Sequence, residues 1–543
     1  MAATRFPIIR GLRVGGVEDT WYLWACKGGI ISNRPAVLSR WYGGEYPLQV
    51  CDAFNPKAGR GLALLTYDLD DIFKQWQMQK GPGGIDWGIE YFQREYQPGE
   101  KIPVAQTALR AHTGDWRAAL RIYRDWVRTW YRPQAPRKQW FRECFNYRQH
   151  WAWSELYDAQ AGVWRMDEII RADREFFGCL DYLHIFDFGE SRIYGRVGDY
   201  NHYDELGGLE KMAAAIARAK ELGVPVGLYI EGYLCDERAQ WGKDNVLANN
   251  MRDREGRSMI YGGEGTEHVM CHSAPSWREH LAGVYRRVAA ELKPSGMYID
   301  QYGFIGPWYS CWSREHGHPV PWPPLAGERD TLKAIRSAVP EEIATLTEET
   351  PNDVNSQYQD GALGYSVAFS DPVLAPHRVD LFRFVFPDFK VFQLVSYNPF
   401  VEGGWDLLKY PFFNADGYWL HNKVPDDFSE DARDFLRKAF AILHEHTDAF
   451  CGDDVEPLVP TLQPTVYANR FSAPGKTVWT LFNAAFSTFR GDVLRVPHRR
   501  GARYVDAFTG KPIAARVEGQ WATIPLVLGP RDVGCVVAQY PRE

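Results

Sequence analysis

The sequence predicts a multidomain α/β plus all-β protein: a central (β/α)8 TIM barrel flanked by N-terminal and C-terminal β-sandwich domains. Three observations carry this reading. Residues from about 140 to 450 alternate short apolar runs with amphipathic helical stretches, the signature of βα units. The segments on either side read as short strands separated by Gly, Pro, Asn and Asp. Several of the central apolar runs end in a carboxylate, most clearly Met297-Tyr298-Ile299-Asp300, and reactive groups of such barrels sit at the C-terminal ends of the strands.

Taken in order, residues 1–114 form the first all-β segment, with runs at Trp21–Ala25, Leu48–Ala53, Gly61–Tyr67 and Gly88–Phe92. Four runs are few for a complete sandwich, so a partial one is expected. Residues 115–139 are a linker: Trp116, Leu120, Tyr123, Val127 and Trp130 recur at three- and four-residue spacing, and Pro133 and Pro136 stop the helix. In the barrel segment, 140–450, strands are expected at Arg142–Arg148, Tyr182–Phe188, Val224–Ile230, Met297–Asp300, Ile343–Thr347, Leu363–Phe369, Val391–Ser396 and, weakly, Tyr418–Leu420. Helices are expected at Asp167–Phe177, around Leu209–Ala219, at Trp277–Leu292, Gly327–Val339 and Ser429–His446. Residues 451–543 return to strands, with Pro474-Gly475 and Thr509-Gly510 as turns.

Composition narrows the function. The 543 residues are 24% charged and 45% apolar with a net charge of −7, ordinary for a globular protein. No basic stripe suggests nucleic acid, and no run of 18 apolar residues suggests a membrane span. Met1–Gly16 lacks an apolar core and a small-residue cleavage site, so a cytoplasmic location is expected. Nine scattered cysteines without a CxxC pair indicate neither a zinc ribbon nor a disulfide framework. Aromatics reach 15%, including 21 Trp, many in loop-like stretches, where flat apolar faces suit sugar rings.

If the barrel holds, Asp187 ends strand two with Glu190 following, Glu231 ends strand three, Asp300 strand four, Glu348 and Glu349 strand five, and Asp371 strand six. Five consecutive strands then deliver carboxylates to one rim. Glycoside hydrolysis needs two carboxylates flanking the scissile bond, and further acids accept hydrogen bonds from sugar hydroxyls. Asp187, Glu190, Glu231, Tyr302 and Trp308 are therefore candidate substrate-binding residues. Cys311, His316 and His318, with Cys271-His272 nearby, are spaced so that they could bind zinc. The more economical expectation is that His316 and His318 line the sugar site as donors, so neither metal nor other cofactor is assigned. No GxGxxG, Walker or GxSxG motif occurs.

The order β-sandwich, linker helix, barrel and β-sandwich, with Asp at the end of strand four in Tyr298-Ile299-Asp300-Gln301-Tyr302-Gly303, resembles the α-galactosidase-like superfamily of glycosidases. In motif it is nearest to endo-α-N-acetylgalactosaminidase relatives. The resemblance implies Asp300 as nucleophile and a Glu just after strand five as acid/base, matched by Glu348 with Glu349 beside it. In α-galactosidases proper the acid/base ends strand six, which would select Asp371 and an exo-acting enzyme. The expected function is a retaining hydrolase of an α-linked galactose- or N-acetylgalactosamine-like glycoside. A barrel that has lost activity and only binds carbohydrate, and a metal-dependent isomerase or hydrolase using His316 and His318, are the readings from other classes.

Overall fold

The computed structural model describes residues 4–541 apart from 189–196, 202, 263–264, 304–308, 366–370 and 396–403. Glu190 and Trp308, and the ends of the expected sixth and seventh strands, lie outside the described residues.

Eight strands close into one barrel in chain order. They are Asn146–Trp151, Tyr182–Phe186, Val226–Glu231, Gly296–Asp300, Ala344–Thr347, Gly361–Gly364, Lys390–Leu394 and Gly417–Leu420. Neighbouring strands pair in parallel, as in Glu231 opposite Asp300 and Leu346 opposite Tyr298. The expected strands are all present, with shifted ends. The first begins four residues late, because Gln139–Arg142 is a short helix and the strand begins at Asn146. The helices between them also follow the expected spacing: Met166–Phe177, Leu209–Glu221, Pro275–Leu292, Leu325–Ala338 and Glu430–Glu445. The last is N-capped by Ser429, whose hydroxyl accepts the Ala432 N–H at 3.2 Å.

The chain divides into two compact units, residues 1–136, 150–167 and 184–363, and residues 137–149, 168–183 and 364–543. In the first, the N-terminal segment forms two antiparallel sheets of four and five strands, nine strands where the sequence suggested four. The five-stranded sheet carries the helix Trp116–Trp130, capped by Asp115. Trp116, Leu120, Tyr123 and Val127 are buried, as their spacing requires. Each such side chain contributes roughly 1.5–3 kcal/mol by leaving water.

In the second unit, a six-stranded and a three-stranded antiparallel sheet share an apolar core that includes Trp479, Leu481, Val493, Ile524 and Val536. The strand Trp521–Leu528 is not evident in the sequence because it contains Pro525. Pro525 lies opposite Asp492, where the partner strand bulges before Leu494, and a bulge tolerates a missing N–H. None of the nine cysteines forms a disulfide. Among the described residues no helix is long and apolar enough to cross a membrane.

Candidate active site

Strand alternation builds the site. Side chains two apart on a strand share a face, so Tyr229 and Glu231, and likewise Tyr298 and Asp300, point the same way. Their rings form a layer with Phe186 and His184: Phe186 lies 4.0 Å from Tyr229, and His184 5.5 Å from Tyr298, centroid to centroid. Burial pushes the His184 imidazole down to about 3, so it is neutral in this layer. The carboxylates stand one step nearer the rim.

Asp300, 6% exposed, is held from two sides. The Tyr229 hydroxyl donates to its Oδ2 at 2.6 Å and the Tyr298 hydroxyl to its Oδ1 at 2.8 Å. Glu231 is 0% exposed, and its Oε1 accepts the Tyr233 N–H at 2.7 Å. Burial first, and then the Asp300 charge and a hydrogen bond to it, push Glu231 well above the usual carboxylate range. Glu231 therefore keeps its proton and presents it to Asp300. Expected as an acceptor for sugar hydroxyls, it lies beside Asp300 in register with it and is closed off from solvent.

Register separates Glu348 from Glu349. Leu346 pairs with Tyr298 and Thr347 with Ile299, where the strand ends; carried past that end, the alternation assigns Glu348 to the face of Tyr298 and Asp300 and Glu349 to the opposite one. Glu348 is half-buried, and its Oε2 accepts the Gln301 N–H at 2.9 Å. Its charge is also felt by Glu231 and by the phenols of Tyr261 and Tyr309. Glu349 is buried, and its Oε2 meets Lys27 Nζ at 2.6 Å, an ion pair reaching from the N-terminal sheets to the barrel rim.

Two further contacts fix this junction. Gly44 approaches the backbone so closely that a Cβ there would lie 1.5 Å from the Gly303 carbonyl oxygen. Asp353 is fully buried and accepts from the Tyr42 hydroxyl at 2.6 Å, from Gln49 Nε2 at 3.0 Å and from the Tyr123 hydroxyl. The segment carrying Glu348 and Glu349 is thus tied both to the N-terminal sheets and to the linker helix.

The other expected residues divide. Asp187, with φ of 54°, accepts the Trp153 indole N–H at 2.7 Å, an aromatic–acid pair at the end of strand two. Tyr302 is fully buried, its hydroxyl 2.7 Å from His272 Nδ1. Asp371 is exposed and caps a turn, accepting the N–H groups of Val373 and Leu374, both at 2.8 Å. His316 and His318 gather with Cys271 and Cys311 rather than with the carboxylates named above. Sequence reasoning missed Tyr229, Tyr298 and Lys27. For Tyr229 and Tyr298 a signal existed, since each precedes its acid by two residues. Not every tryptophan is placed to face ligand: Trp24, Trp76 and Trp277 are buried, and Trp41 stacks on Phe73 at 4.8 Å. A groove of about 930 Å³ between the C-terminal sheets includes Trp479, Trp521 and Tyr540. Its acids Asp454 and Glu456 pair with Arg470, so it offers no acid pair for catalysis.

A family model described as "Domain of unknown function (DUF6259)" matches residues 102–357. A Bacteroides thetaiotaomicron protein bearing the name "Putative glycoside hydrolase" is 24% identical over 365 residues, covering 62% of this chain and 51% of its own length. The chain therefore spans about half the length of that curated relative. Among solved structures, the alpha-N-acetylgalactosaminidase NagBb from Bifidobacterium bifidum aligns with a TM-score of 0.65 at 16% identity, over 85% of this chain and 79% of its own. A GH36 alpha-galactosidase AgaA variant from Geobacillus stearothermophilus, in complex with 1-deoxygalactonojirimycin, aligns with a TM-score of 0.62 at 13% identity, over 99% and 76%. At these identities the likeness is one of fold, and at that level the resemblance to α-galactosidase-like glycosidases drawn from the sequence holds.

Proposed function

We propose that this chain is a retaining glycoside hydrolase acting on an α-linked galactose- or N-acetylgalactosamine-like sugar, with Asp300 as nucleophile and Glu348 as acid/base. The observation that carries the reading is that Asp300 ends its strand and Glu348 directly follows the adjacent parallel one, its N–H still bonded to the Ile299 carbonyl at 3.1 Å. Neighbouring strands lie about 4.8 Å apart, which suits the roughly 5–5.5 Å carboxyl separation of retaining enzymes. The curated relative's name and the enzymes sharing the fold point to the same reaction class.

In the first step an Asp300 oxygen bonds to the anomeric carbon as the glycosidic C–O bond breaks, and the Glu348 proton passes to the leaving oxygen. In the second, Glu348, now a carboxylate, takes a proton from water. The water oxygen bonds to the anomeric carbon and Asp300 departs. Tyr229, Tyr298 and the proton on Glu231 aim Asp300 and disperse its charge. Asp187 with Trp153, and Tyr261 and Tyr309, offer polar edges and ring faces for the sugar. We read the flanking antiparallel sheets as the two β-sandwich domains, 1–114 and 451–543, around the 115–139 linker and the 140–450 barrel.

The test uses a panel of aryl glycosides. Asp300→Asn should lower turnover by about 10³-fold or more, and azide should rescue Asp300→Ala with a glycosyl azide of inverted anomeric configuration. Wild-type turnover in Asp300→Asn sinks the proposal. Glu348→Gln should spare substrates with good leaving groups in the first step and lose those needing protonation. If Asp371→Asn shows that pattern and Glu348→Gln does not, the acid belongs to Asp371.

A further inference from the structure

Cys271, Cys311, His316 and His318 each direct one ligand atom into a common space, with all four atoms within 4.8 Å of one another. Cys271 Sγ lies 3.5 Å from His318 Nε2, and Cys311 Sγ 3.5 Å from His316 Nδ1. Tetrahedral zinc, with Zn–S near 2.3 Å and Zn–N near 2.05 Å, sets sulfur and nitrogen ligands roughly 3.6 Å apart. The two measured separations fall at that value.

The outward-facing ring nitrogens point the same way. His316 Nε2 lies 3.1 Å from the Ala248 carbonyl oxygen, and His318 Nδ1 2.7 Å from that of Pro319. A carbonyl can only accept, so the proton of each neutral imidazole sits on the outward nitrogen. The lone pairs of His316 Nδ1 and His318 Nε2 then face the sulfurs. This is the outer-shell arrangement that fixes the tautomer of a metal-ligating histidine. The cysteines are held by backbone: Cys271 N–H donates to the Asn249 carbonyl at 3.0 Å, and Cys311 exchanges N–H···O bonds with Trp322 at 2.8 and 2.9 Å. Both are buried, as is His316. Cys271 and the two imidazoles pull the Cys311 thiol down towards thiolate against the opposing effect of burial.

We propose that these four side chains form a structural zinc site that clips the excursion after barrel strand three to the loop after strand four. Two sulfurs and two imidazoles in a closed tetrahedral set suit zinc over harder cations and leave no open position for substrate or water. Both cysteines ligate as thiolates, so whatever thiol proton they still hold leaves as zinc binds. The clip joins Cys271, 40 positions upstream, to Cys311, and so braces the segments following Glu231 and Asp300. This differs from the sequence expectation, in which His316 and His318 line the sugar site and no metal is held.

The full chain, purified without chelator, should carry about one zinc per molecule by elemental analysis. Cobalt exchange should give a thiolate-to-metal charge-transfer band together with tetrahedral d–d absorption. Cys311→Ser and His318→Ala should each reduce bound metal to below about a tenth of an equivalent. If a variant fails to fold, the wild-type chain decides alone: zinc removal by a strong chelator should expose two thiols to alkylation that the zinc-loaded chain protects. A cobalt spectrum without the thiolate band, metal content near zero in the freshly purified chain, or a mass showing a Cys271–Cys311 disulfide overturns the proposal.

Discussion

The pairing of Glu349 with Lys27 makes a prediction that separates the two adjacent glutamates by what each loss would cost. The two side chains are 4% and 16% exposed and meet at 2.6 Å. Breaking a fully buried ion pair by removing one partner costs about 3–5 kcal/mol. With Lys27 still touching solvent, Glu349→Gln should cost about 2–4 kcal/mol. Lys27→Met should cost a similar amount. The double variant should cost less than the sum, by a coupling of about 1–3 kcal/mol, because no charge is then left without its counter-ion. Turnover per folded molecule in Glu349→Gln should stay within about tenfold of wild type, since the charge lies on the face away from Asp300. Glu348→Gln should do the reverse, leaving the melting midpoint in place and removing turnover of glycosides with poor leaving groups. Calorimetry and steady-state rates on an aryl α-glycoside read both effects. An unchanged midpoint with a loss of about 10³-fold in Glu349→Gln, beside an active Glu348→Gln, would refute the register argument.

Two further perturbations act on the same unit. Tyr229→Phe and Tyr298→Phe each remove a hydroxyl donating to Asp300. A hydrogen bond to a charged group contributes about 1.5–3 kcal/mol, so kcat should fall roughly tenfold to a hundredfold with KM less affected. Stability should also decline as pH rises above neutrality. Burial pushes Glu328 up to about 8 and Asp71 up to about 7, so in this range the native chain holds protons that the unfolded chain has released. The buried His184 and His272, pushed down to about 3, act in the opposite sense only below the ordinary histidine value. Between about pH 6.5 and 8 the carboxyls therefore govern, each by up to about 1.4 kcal/mol per pH unit. Glu328→Gln should flatten this slope in thermal melts, and an unchanged slope would count against a protonated Glu328.

The barrel was legible because a short apolar run ending in a polar residue recurs through its segment, and local spacing suffices to see it. Asp300 and Glu231 stood out for the same reason. The choice between Glu348 and Glu349 did not, because period-two alternation gives a face only once one position is anchored to a neighbouring strand. The pairing of Leu346 with Tyr298 supplies that anchor. Lys27 and Gly44 lie more than 250 positions from the groups they meet, and no local pattern encodes such contacts. The cysteines and histidines were visible as candidates. What the chain could not reveal in one dimension was that Cys271 returns to the side of Cys311, which depends on the course of the whole excursion after strand three. The strand Trp521–Leu528 was hidden by Pro525, whose usual meaning is reversed by a bulge in the partner strand.

The fit between Gly44 and Gly303, where not even a methyl group has room, bears on how such a gene can change. The N-terminal sheets do not serve as an interchangeable module beside the barrel. A substituted module would have to reproduce a glycine at that approach, a lysine opposite Glu349 and the hydroxyl and amide that meet Asp353. Recombination that swapped the first hundred codons would thus break several matches at once, so the sheets and the barrel rim are expected to be inherited together and to diverge by compensating pairs of substitutions.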